Sequence, residues 1–168
     1  TIFVLPNNSN IILASNQAAS IIEDKKLVVI PTKTIPQGIT AMINFELTRN
    51  AKENEEAMLE SLSTVKSGQL TYAVRDTSID GKEIKKDNYL GLGDKGLAAV
   101  GTDMDDTALA MLAEVDEESE LISVYYGEDI DESKAEELVK KIEEKFDGVD
   151  VELQYGGQPV YYYIVSVE

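Results

Sequence analysis

The stretch TIFVLPNNSNIILASNQAASIIEDKKLVVIP, residues 1–31, decides the class of fold. Its first apolar run stops at Pro6, which cannot donate a hydrogen bond to a sheet. Apolar residues then recur at helical spacing, and the β-branched run LVVIP follows at 27–31. A strand, a helix and a strand within about thirty residues are typical of a right-handed βαβ unit with parallel strands. The pattern therefore predicts an α/β protein.

The predicted secondary structure differs between the first and second parts of the chain. We predict a parallel βαβ portion over residues 1–66, truncated at its N-terminus, and a mixed, partly antiparallel α+β portion over 67–168. In the second portion, QLTYAVRDT, NYLGLG and GLAAVG predict an antiparallel meander. ESKAEELVKKIEEKF predicts a helix that buries Ala135, Leu138, Val139, Ile142 and Phe146. A helix over 50–65 is expected to end at Gly68. The nearly continuous apolar run PVYYYIVSV, residues 159–167, predicts a central strand.

The first two predicted strands need further strands beside them. A two-stranded parallel sheet cannot bury both of its faces, so further strands should pair with it. They would come from later in the chain or from residues upstream of it. We expect the upstream source, and hence that the chain is a fragment of a longer polypeptide.

Composition excludes several kinds of chemistry. The 168 residues contain 15 Lys plus Arg against 32 Asp plus Glu, a net charge of −17, and no His, Cys or Trp. Nucleophilic sites that need Cys or His, and zinc sites with thiolate or imidazole ligands, are therefore excluded. The negative charge disfavours nucleic acid and anionic membranes, and no apolar run approaches the ~20 residues of a membrane span. Without a visible signal peptide, we expect a cytoplasmic protein.

Two motifs have stronger structural than functional explanations. GLGDKG at 91–96 matches a dinucleotide fingerprint, but a strand rather than a helix follows it, which favours a hairpin turn. DTSIDGKEIKKD at 76–87 places acids at calcium-loop positions, but a reverse turn around Asp80 and Gly81 explains them better. The aspartates at 103, 105 and 106 indicate a helix cap. We predict no metal site and no catalytic residue.

Polar residues follow both parallel strands, in PNNSN at 6–10 and in TKTIPQG at 32–38, which we expect to be a loop before a helix that begins with GITAMINF. The carboxyl ends of parallel strands meet at one edge of a sheet, where ligands collect. Asn and Ser also cap helices, and Pro with Gly shapes turns, so a purely structural role remains open. The candidate binding residues here are Asn7, Asn8, Asn10, Thr32, Lys33, Thr34, Gln37 and Gly38.

A second candidate surface lies near the C-terminus, in YGGQPVYYY at 155–163. Three consecutive tyrosines cannot all point to one face of a strand. Tyrosine is a common anchor at protein interfaces, although such a strand is more often core. The candidate residues here are Gly156, Gly157, Gln158 and Tyr161, and we add Arg75 from the segment AVRDT.

A resemblance to a known family rests on six sequence segments, which occur in this order: LPNNSNIILASNQAA, VIPTKTIPQGITAM, ENEEAMLESL, TYAVRDTSIDG, VYYGEDI and GGQPVYYYIVSVE. Together they resemble the C-terminal region of the ATP-binding subunit of bacterial fatty-acid kinase. That family was formerly described as dihydroxyacetone-kinase-like. The resemblance covers essentially the whole chain, and it implies a fold like that of the DegV-type fatty-acid-binding proteins.

The same resemblance implies where the chemistry lies. ATP and Mg²⁺ are expected in an N-terminal kinase domain absent from this chain, and no cofactor is expected here. The implied role is to dock a separate carrier subunit whose bound fatty acid is phosphorylated on its carboxylate. The chain lacks the His that the head-group site of DegV-type carriers uses, so we expect no fatty-acid site of that kind.

We therefore expect a non-catalytic module that docks the fatty-acid carrier for the separate ATP-binding domain. The carrier and the rest of its own kinase chain are the expected partners. A small-ligand or lipid-binding module that acts directly is the alternative. A third interpretation, an enzyme that uses an acid with Lys33 or Arg75, has the least support. The acidity predicts that a docking partner presents a basic face.

Overall fold

The computed structural model describes residues 1–79, 81–112, 115 and 118–168. The chain divides into two compact units, Thr1–Val65 (unit 1) and Lys66–Glu168 (unit 2). No helix among the described residues is long and apolar enough to cross a membrane.

Unit 1 is a βαβ element followed by two helices. Its elements are β1 (Ile2–Val4), α1 (Ser9–Ile21), β2 (Leu27–Val29), α2 (Ile35–Ile43) and α3 (Ala51–Ser61). β1 and β2 pair in parallel, with Phe3 opposite Val28, as the sequence predicts. The buried hydrophobic core of this unit is small: Val28, Ile30, Ala41 and Met58.

Two expectations about unit 1 are wrong. TKTIPQG is not wholly a loop, because α2 begins at Ile35: Thr34 caps the helix and Pro36 fits its first turn, where no backbone N–H is needed. The helix over 50–65 ends at Ser61, and Gly68 lies inside a later strand. Among the described residues, no strand from later in the chain pairs with β1 or β2. An upstream source of further strands remains a prediction.

Unit 2 is built on a six-stranded mixed sheet in the order β7-β6-β3-β10-β8-β9. The elements are β3 (Lys66–Tyr72), β4 (Thr77–Ile79), β5 (Lys82–Ile84), β6 (Tyr89–Gly93), β7 (Gly96–Gly101), α4 (Met104–Met111), β8 (Leu121–Tyr126), α5 (Glu132–Lys145), β9 (Asp150–Tyr155) and β10 (Tyr163–Val167). β8 and β9 are parallel and the other neighbours in this sheet are antiparallel. The mixed α/β class and the meander of β3, β6 and β7 are confirmed.

The prediction of a central strand is confirmed, but the strand begins late. β10 lies between β3 and β8, and all five of its residues are buried. It starts at Tyr163 rather than at Pro159, because the residues before it form a tight turn. Helix α5 covers the sheet with Ala135, Leu138 and Ile142, three of the residues that its helical spacing singles out.

Helix α4 packs closely on β3 and β6 because two glycines leave room for it. A Cβ atom built on Gly68 would lie 2.9 Å from Met111 Cε, and one on Gly91 would lie 2.8 Å from Met111 Cβ. Both distances are below ordinary contact. A side chain at position 91 would push the helix away, because Met111 Cβ is fixed to the helix backbone. Gly68 lies in β3 against the Met111 side chain and does not end a helix.

Candidate functional site

The strand-end loops of unit 1 do come together. Asn7 follows β1, and its backbone N–H donates to Thr32 Oγ1 at 2.9 Å in the loop after β2. Gln37 Oε1 accepts from the Lys33 N–H at 2.8 Å, and Thr34 Oγ1 accepts from the Gln37 N–H. We call Asn7, Thr32, Thr34, Gln37 and Gly38 the strand-end cluster. Its members order two loops and the first turn of α2.

Asn7 is the strained member of this cluster. Its φ is +54°, a conformation that residues with a side chain adopt rarely, although Asn is among those that tolerate it best. Its side chain lies against Gly38, where any Cβ would overlap Oδ1. Asn7 Oδ1 is buried and accepts no hydrogen bond from the part of the chain that the structure describes. Such an acceptor typically costs about 1–3 kcal/mol.

Burial divides the predicted residues of unit 1 into two groups. Thr32 is fully buried, and Gln37 and Gly38 are also buried, so these residues act inside the unit. The side chains of Asn8, Asn10 and Lys33 are exposed. Asn8 is the N-cap of α1 and accepts from the Asn10 N–H at 2.9 Å. A binding role for any of them stays a prediction.

All eight tyrosines of the chain gather at one end of the six-stranded sheet. Register places Tyr72 opposite Tyr89, Tyr163 opposite Tyr126, and Tyr126 opposite Tyr155. We call this region the tyrosine end: Tyr72, Tyr89, Tyr125, Tyr126, Tyr155, Tyr161, Tyr162 and Tyr163. Tyrosine is enriched among the residues that carry binding energy at interfaces.

The rings of the tyrosine end are packed against one another. The Tyr162 ring lies 5.9 Å from that of Tyr72 and 5.7 Å from that of Tyr89, between centroids. The Tyr126 and Tyr155 rings are 5.2 Å apart. Burial, then the neighbouring phenols of Tyr89 and Tyr72, raises the pKa of Tyr162 above its ordinary value, so the phenol is neutral at pH 7. Tyr72 and Tyr155 are exposed, whereas Tyr126 and Tyr163 are buried, so the tyrosine end is partly surface and partly core.

The candidate loop GGQP leads into the tyrosine end, and hydrogen bonds join this part of the chain to β8 and β3. Gln158 Nε2 donates to Tyr125 O at 2.9 Å, and the Glu128 N–H donates to Gln158 O at 3.1 Å. Gly127 lets the loop approach, because a Cβ there would lie 2.7 Å from Gln158 O. On the other side, Thr71 Oγ1 donates to Val160 O at 3.0 Å. The loop is held in one place.

Val160 is the most unusual residue of this loop. Its φ is +72°, a genuine outlier for a β-branched side chain. The Tyr161 N–H donates to Pro159 O at 2.8 Å, so Pro159–Tyr161 form a three-residue turn around it, the strained form of γ-turn. The side chain is nevertheless 58% exposed. Packing does not explain a valine here, and strain of this kind clusters at functional sites.

Sequence reasoning found Gly156, Gly157, Gln158 and Tyr161 but missed Val160. It also missed that the tyrosines share one end of the sheet. The sequence does hint at this, because tyrosines stand next to turn-forming residues in DNYLGLG and YYGED. The predicted Arg75 is exposed and follows β3 by three residues. The predicted residues of PNNSN and TKTIPQG lie in unit 1. Arg75 and the predicted GGQP residues lie in unit 2.

The structure places GLGDKG in a hairpin and Asp103 at a helix N-cap, as the sequence predicts. Gly93 pairs with Gly96 across the GLGDKG hairpin, and the Asp94 carboxylate accepts from the Ser67 N–H at 2.9 Å. Asp103 caps α4, and Asp105 pairs with Lys141 at 2.6 Å, which raises the pKa of that lysine. Asp80 of the calcium-like stretch lies outside the described residues. The described residues hold no group of three acids arranged for a metal ion.

Unit 2 also contains a cavity of about 260 Å³ beside the C-terminal end of α4. Its lining is mostly apolar and includes Leu97, Met111 and Leu112, with Lys66 and Lys95 also present. The volume is just below the range of about 300–1,000 Å³ usual for small-molecule sites. A small apolar ligand would fit in this cavity.

Comparison with solved structures defines the class of fold. A DegV family protein from Corynebacterium glutamicum matches with a TM-score of 0.67 and 12% identity, over 98% of this chain and 74% of that one. The Streptococcus pneumoniae Fak B3 protein, solved with linoleic acid, matches with a TM-score of 0.62 and 13% identity, over 99% and 71%. The fold is DegV-like, as predicted.

Sequence comparison then identifies the family. Residues 1–168 match the C-terminal family of FakA-like fatty acid kinase subunits, and the chain belongs to it. It is 44% identical to protein YloV of Bacillus subtilis (strain 168) over 169 residues. It is 46% identical over 166 residues to an uncharacterised protein of Staphylococcus aureus (strain USA300). The chain spans about 30% of the length of these relatives.

The contact between Gly38 and Asn7 generates a stability prediction. Alanine normally favours a helix over glycine by about 1 kcal/mol. At position 38 its Cβ would overlap Asn7 Oδ1, so Gly38→Ala should lower the free energy of unfolding by about 1–3 kcal/mol. Urea unfolding followed by far-ultraviolet circular dichroism measures the change.

Two further variants make this test specific. Gly93→Ala is the matched control, because its Cβ would lie 3.8 Å from the nearest side-chain atom, Ala98 Cβ, and we expect little effect. Adding Asn7→Gly to Gly38→Ala should restore stability, because glycine suits φ +54° and removes the obstructing amide. Equal unfolding midpoints for the two single variants would show that the strand-end cluster is not tightly packed.

Proposed function

We propose that this chain is a non-catalytic docking module of a fatty acid kinase. It binds a DegV-type protein that carries a fatty acid and holds the acyl carboxylate for phosphorylation by an ATP-binding domain elsewhere in the longer protein. Membership of the FakA-like C-terminal family supports the kinase part of this proposal. The carrier is inferred from the lipid-loaded Fak B3 protein, which shares the fold.

The exposed, strained Val160 among the tyrosines is the observation that carries the docking proposal. A residue held at φ +72° costs about 1–3 kcal/mol, and here the surrounding hydrogen bonds maintain it. An apolar side chain on a backbone that is already fixed can bind with little loss of conformational freedom. Tyr155, 66% exposed, and Val74, 70% exposed, extend the apolar surface near this end.

The chemistry of this surface fits recognition better than catalysis. Acid/base catalysis requires a group that titrates near the working pH, whereas burial raises the pKa of Tyr162 at the tyrosine end further from it. Phosphoryl transfer also requires metal-bound phosphates, for which the described residues offer no acidic cluster. We place ATP and Mg²⁺ outside this chain.

Charge supports a basic partner face. Unit 2 has 10 basic and 25 acidic residues, so its net charge is 10 − 25 = −15, whereas unit 1 has 5 and 7. Glu128 and Asp129 are exposed directly beyond β8, next to the tyrosine end. A carrier with a basic face would be steered towards this end.

Direct lipid binding is the second candidate, and the 260 Å³ cavity is the observation that favours it. The mostly apolar lining of this pocket suits the hydrocarbon chain of a small fatty acid. We rank it below docking, because the strain at Val160 has no role in such a site.

Substitution of Val160 separates stability from binding. Val160→Gly should raise the free energy of unfolding by about 1 kcal/mol, since relief of strain exceeds the entropic cost of glycine. The same change should weaken carrier binding at least about tenfold, because it removes the fixed apolar contact. Chemical denaturation and isothermal titration calorimetry measure the two effects.

The control for Val160→Gly is Leu59→Ala in α3, where the side chain is 40% exposed and far along the sequence from the tyrosine end. It should leave carrier affinity unchanged. If Val160→Gly binds the carrier as tightly as the unsubstituted chain, the tyrosine end is not the docking surface.

Calorimetry also distinguishes the two candidate functions. A DegV-type carrier loaded with linoleic acid should give saturable heat, and its Kd should rise at least about fivefold between roughly 50 and 500 mM NaCl. Free linoleic acid should give none below its aggregation limit. Saturable binding of the free acid without carrier binding would favour the cavity, and a Kd independent of salt would contradict the basic partner face.

A further inference from the structure

Strand β9 forms an open edge of the six-stranded sheet in unit 2. It pairs with β8 on one side, and among the described residues no strand pairs with its other side. The pairing with β8 continues without a shift of register from Asp150 to Tyr155. A strand of this length spans about 20 Å. A regular, unpaired edge is a ready template for a further strand.

The hydrogen bonds to β8 show which backbone groups of β9 point outward. The Asp150 N–H donates to Glu120 O, and the Gly156 N–H donates to Tyr126 O, both at 2.9 Å. In a parallel pair, every second residue of a strand bonds to its neighbour, so the even-numbered residues of β9 face β8. The outward N–H and C=O groups belong to Val151, Leu153 and Tyr155.

The opposite edge of the same sheet is less suited to accept a strand. β7 has the sequence GLAAVG, with a glycine at each end. Its pairing with β6 shifts in register between Gly91 and Leu92. Such an irregularity bends an edge and interrupts its row of hydrogen-bonding groups. The sequence DVELQY of β9 contains no glycine and no proline, so its backbone can pair regularly.

The exposed face of β9 is acidic. Asp150, Glu152 and Gln154 are exposed on one face of the strand, whereas Val151 and Leu153 pack against the core on the other. A second copy of β9 would bring its own acids to the same face of the sheet, where like charges destabilise strand pairing. A strand with Lys or Arg at alternate positions would instead attract them. The charges therefore oppose self-association and favour a basic partner strand.

We propose that the DegV-type carrier docks by adding a basic strand to the open edge of β9; this rests on the proposed function, in which the carrier is the partner. The outward backbone groups of Val151, Leu153 and Tyr155 would then bond to the carrier's backbone and supply affinity. The exposed acids at positions 150 and 152 would select basic side chains on the added strand.

The edge of β9 is continuous with the tyrosine end. β9 finishes at Tyr155, whose ring packs on that of Tyr126, and the chain passes directly into GGQP. The Gly156 and Gly157 N–H groups both donate to Tyr126 O, so the end of β9 is held to β8. A partner seated on the tyrosine end therefore also reaches the open edge, and both contacts belong to one docking surface.

Amide hydrogen exchange read at single residues tests strand addition, because an added strand protects alternate amides. In the free chain, the N–H groups of residues 151, 153 and 155 should exchange faster than those of 152 and 154, which bond to β8. An excess of DegV-type carrier loaded with linoleic acid should slow exchange at 151, 153 and 155 at least about tenfold. The slowing at 152 and 154 should be much smaller.

The other results each overturn strand addition. Slower exchange in residues 156–162 without change at 151, 153 and 155 would leave docking at the tyrosine end standing and reject the added strand alone. Equal slowing at odd and even positions would indicate a general stabilisation of the chain. Protection of the odd positions without carrier that disappears on dilution would indicate a second copy. Absence of carrier binding would overturn the proposed function as well.

Charge reversal on the exposed face of β9 gives an independent test. Glu152→Lys should raise the Kd for the carrier at least about tenfold, because it places a lysine beside a basic strand. Glu143→Lys is the matched control, since Glu143 is also exposed and the change in net charge is the same, but it lies on α5 and not at the sheet edge. Its Kd should rise less than about threefold. Equal effects of the two variants would show that the carrier senses only net charge, and would overturn the added strand.

Discussion

The pairing of β10 with β3 on one side and β8 on the other is the constraint on which unit 2 depends. Every residue of β10 is buried, and Tyr163 at its start is fully so. The hydrogen bonding continues one residue beyond the strand, because the Tyr162 N–H donates to Leu70 O and Tyr162 O accepts from the Gly127 N–H. The chain before Tyr162 must therefore turn sharply to reach β9. Val160 takes the positive φ that this turn demands, and its side chain is left pointing away from the core with 58% of its surface exposed.

The same constraint explains how a rigid surface arises without catalytic groups. Strands that run both ways bring their tyrosines to one end, where the rings of Tyr72 and Tyr89 pack on that of Tyr162 and the rings of Tyr126 and Tyr155 pack on each other. The acids that surround this end add long-range attraction for a basic partner but no fixed geometry. Recognition then depends on a few aromatic and apolar side chains in positions set by the sheet. The two units differ in their cores: unit 2 has a core cluster of sixteen buried residues, whereas that of unit 1 has four.

Local patterns predict the elements well and the close contacts poorly. The parallel pairing of β1 with β2, the stripe of α5 and the central position of β10 follow from apolar spacing, which local sequence displays directly. Glycine often ends a helix, so local sequence predicts that role for Gly68, but the reason for this glycine lies far along the chain at Met111. The first turn of α2 resembles a loop in sequence, because Thr34 and Pro36 suit either structure. The strain at Val160 depends on anchors from β3 and β8, and no local pattern signals contacts across a sheet.

Amide hydrogen exchange on the complex with the fatty-acid-loaded carrier tests the central claim most directly. With carrier in excess, exchange should slow in residues 156–162 and at the ends of β3 and β8, whereas α3 and the exposed face of α5 should exchange as in the free chain. Protection confined to the surroundings of the 260 Å³ cavity, or no change at the tyrosine end while the carrier is bound, would contradict the account.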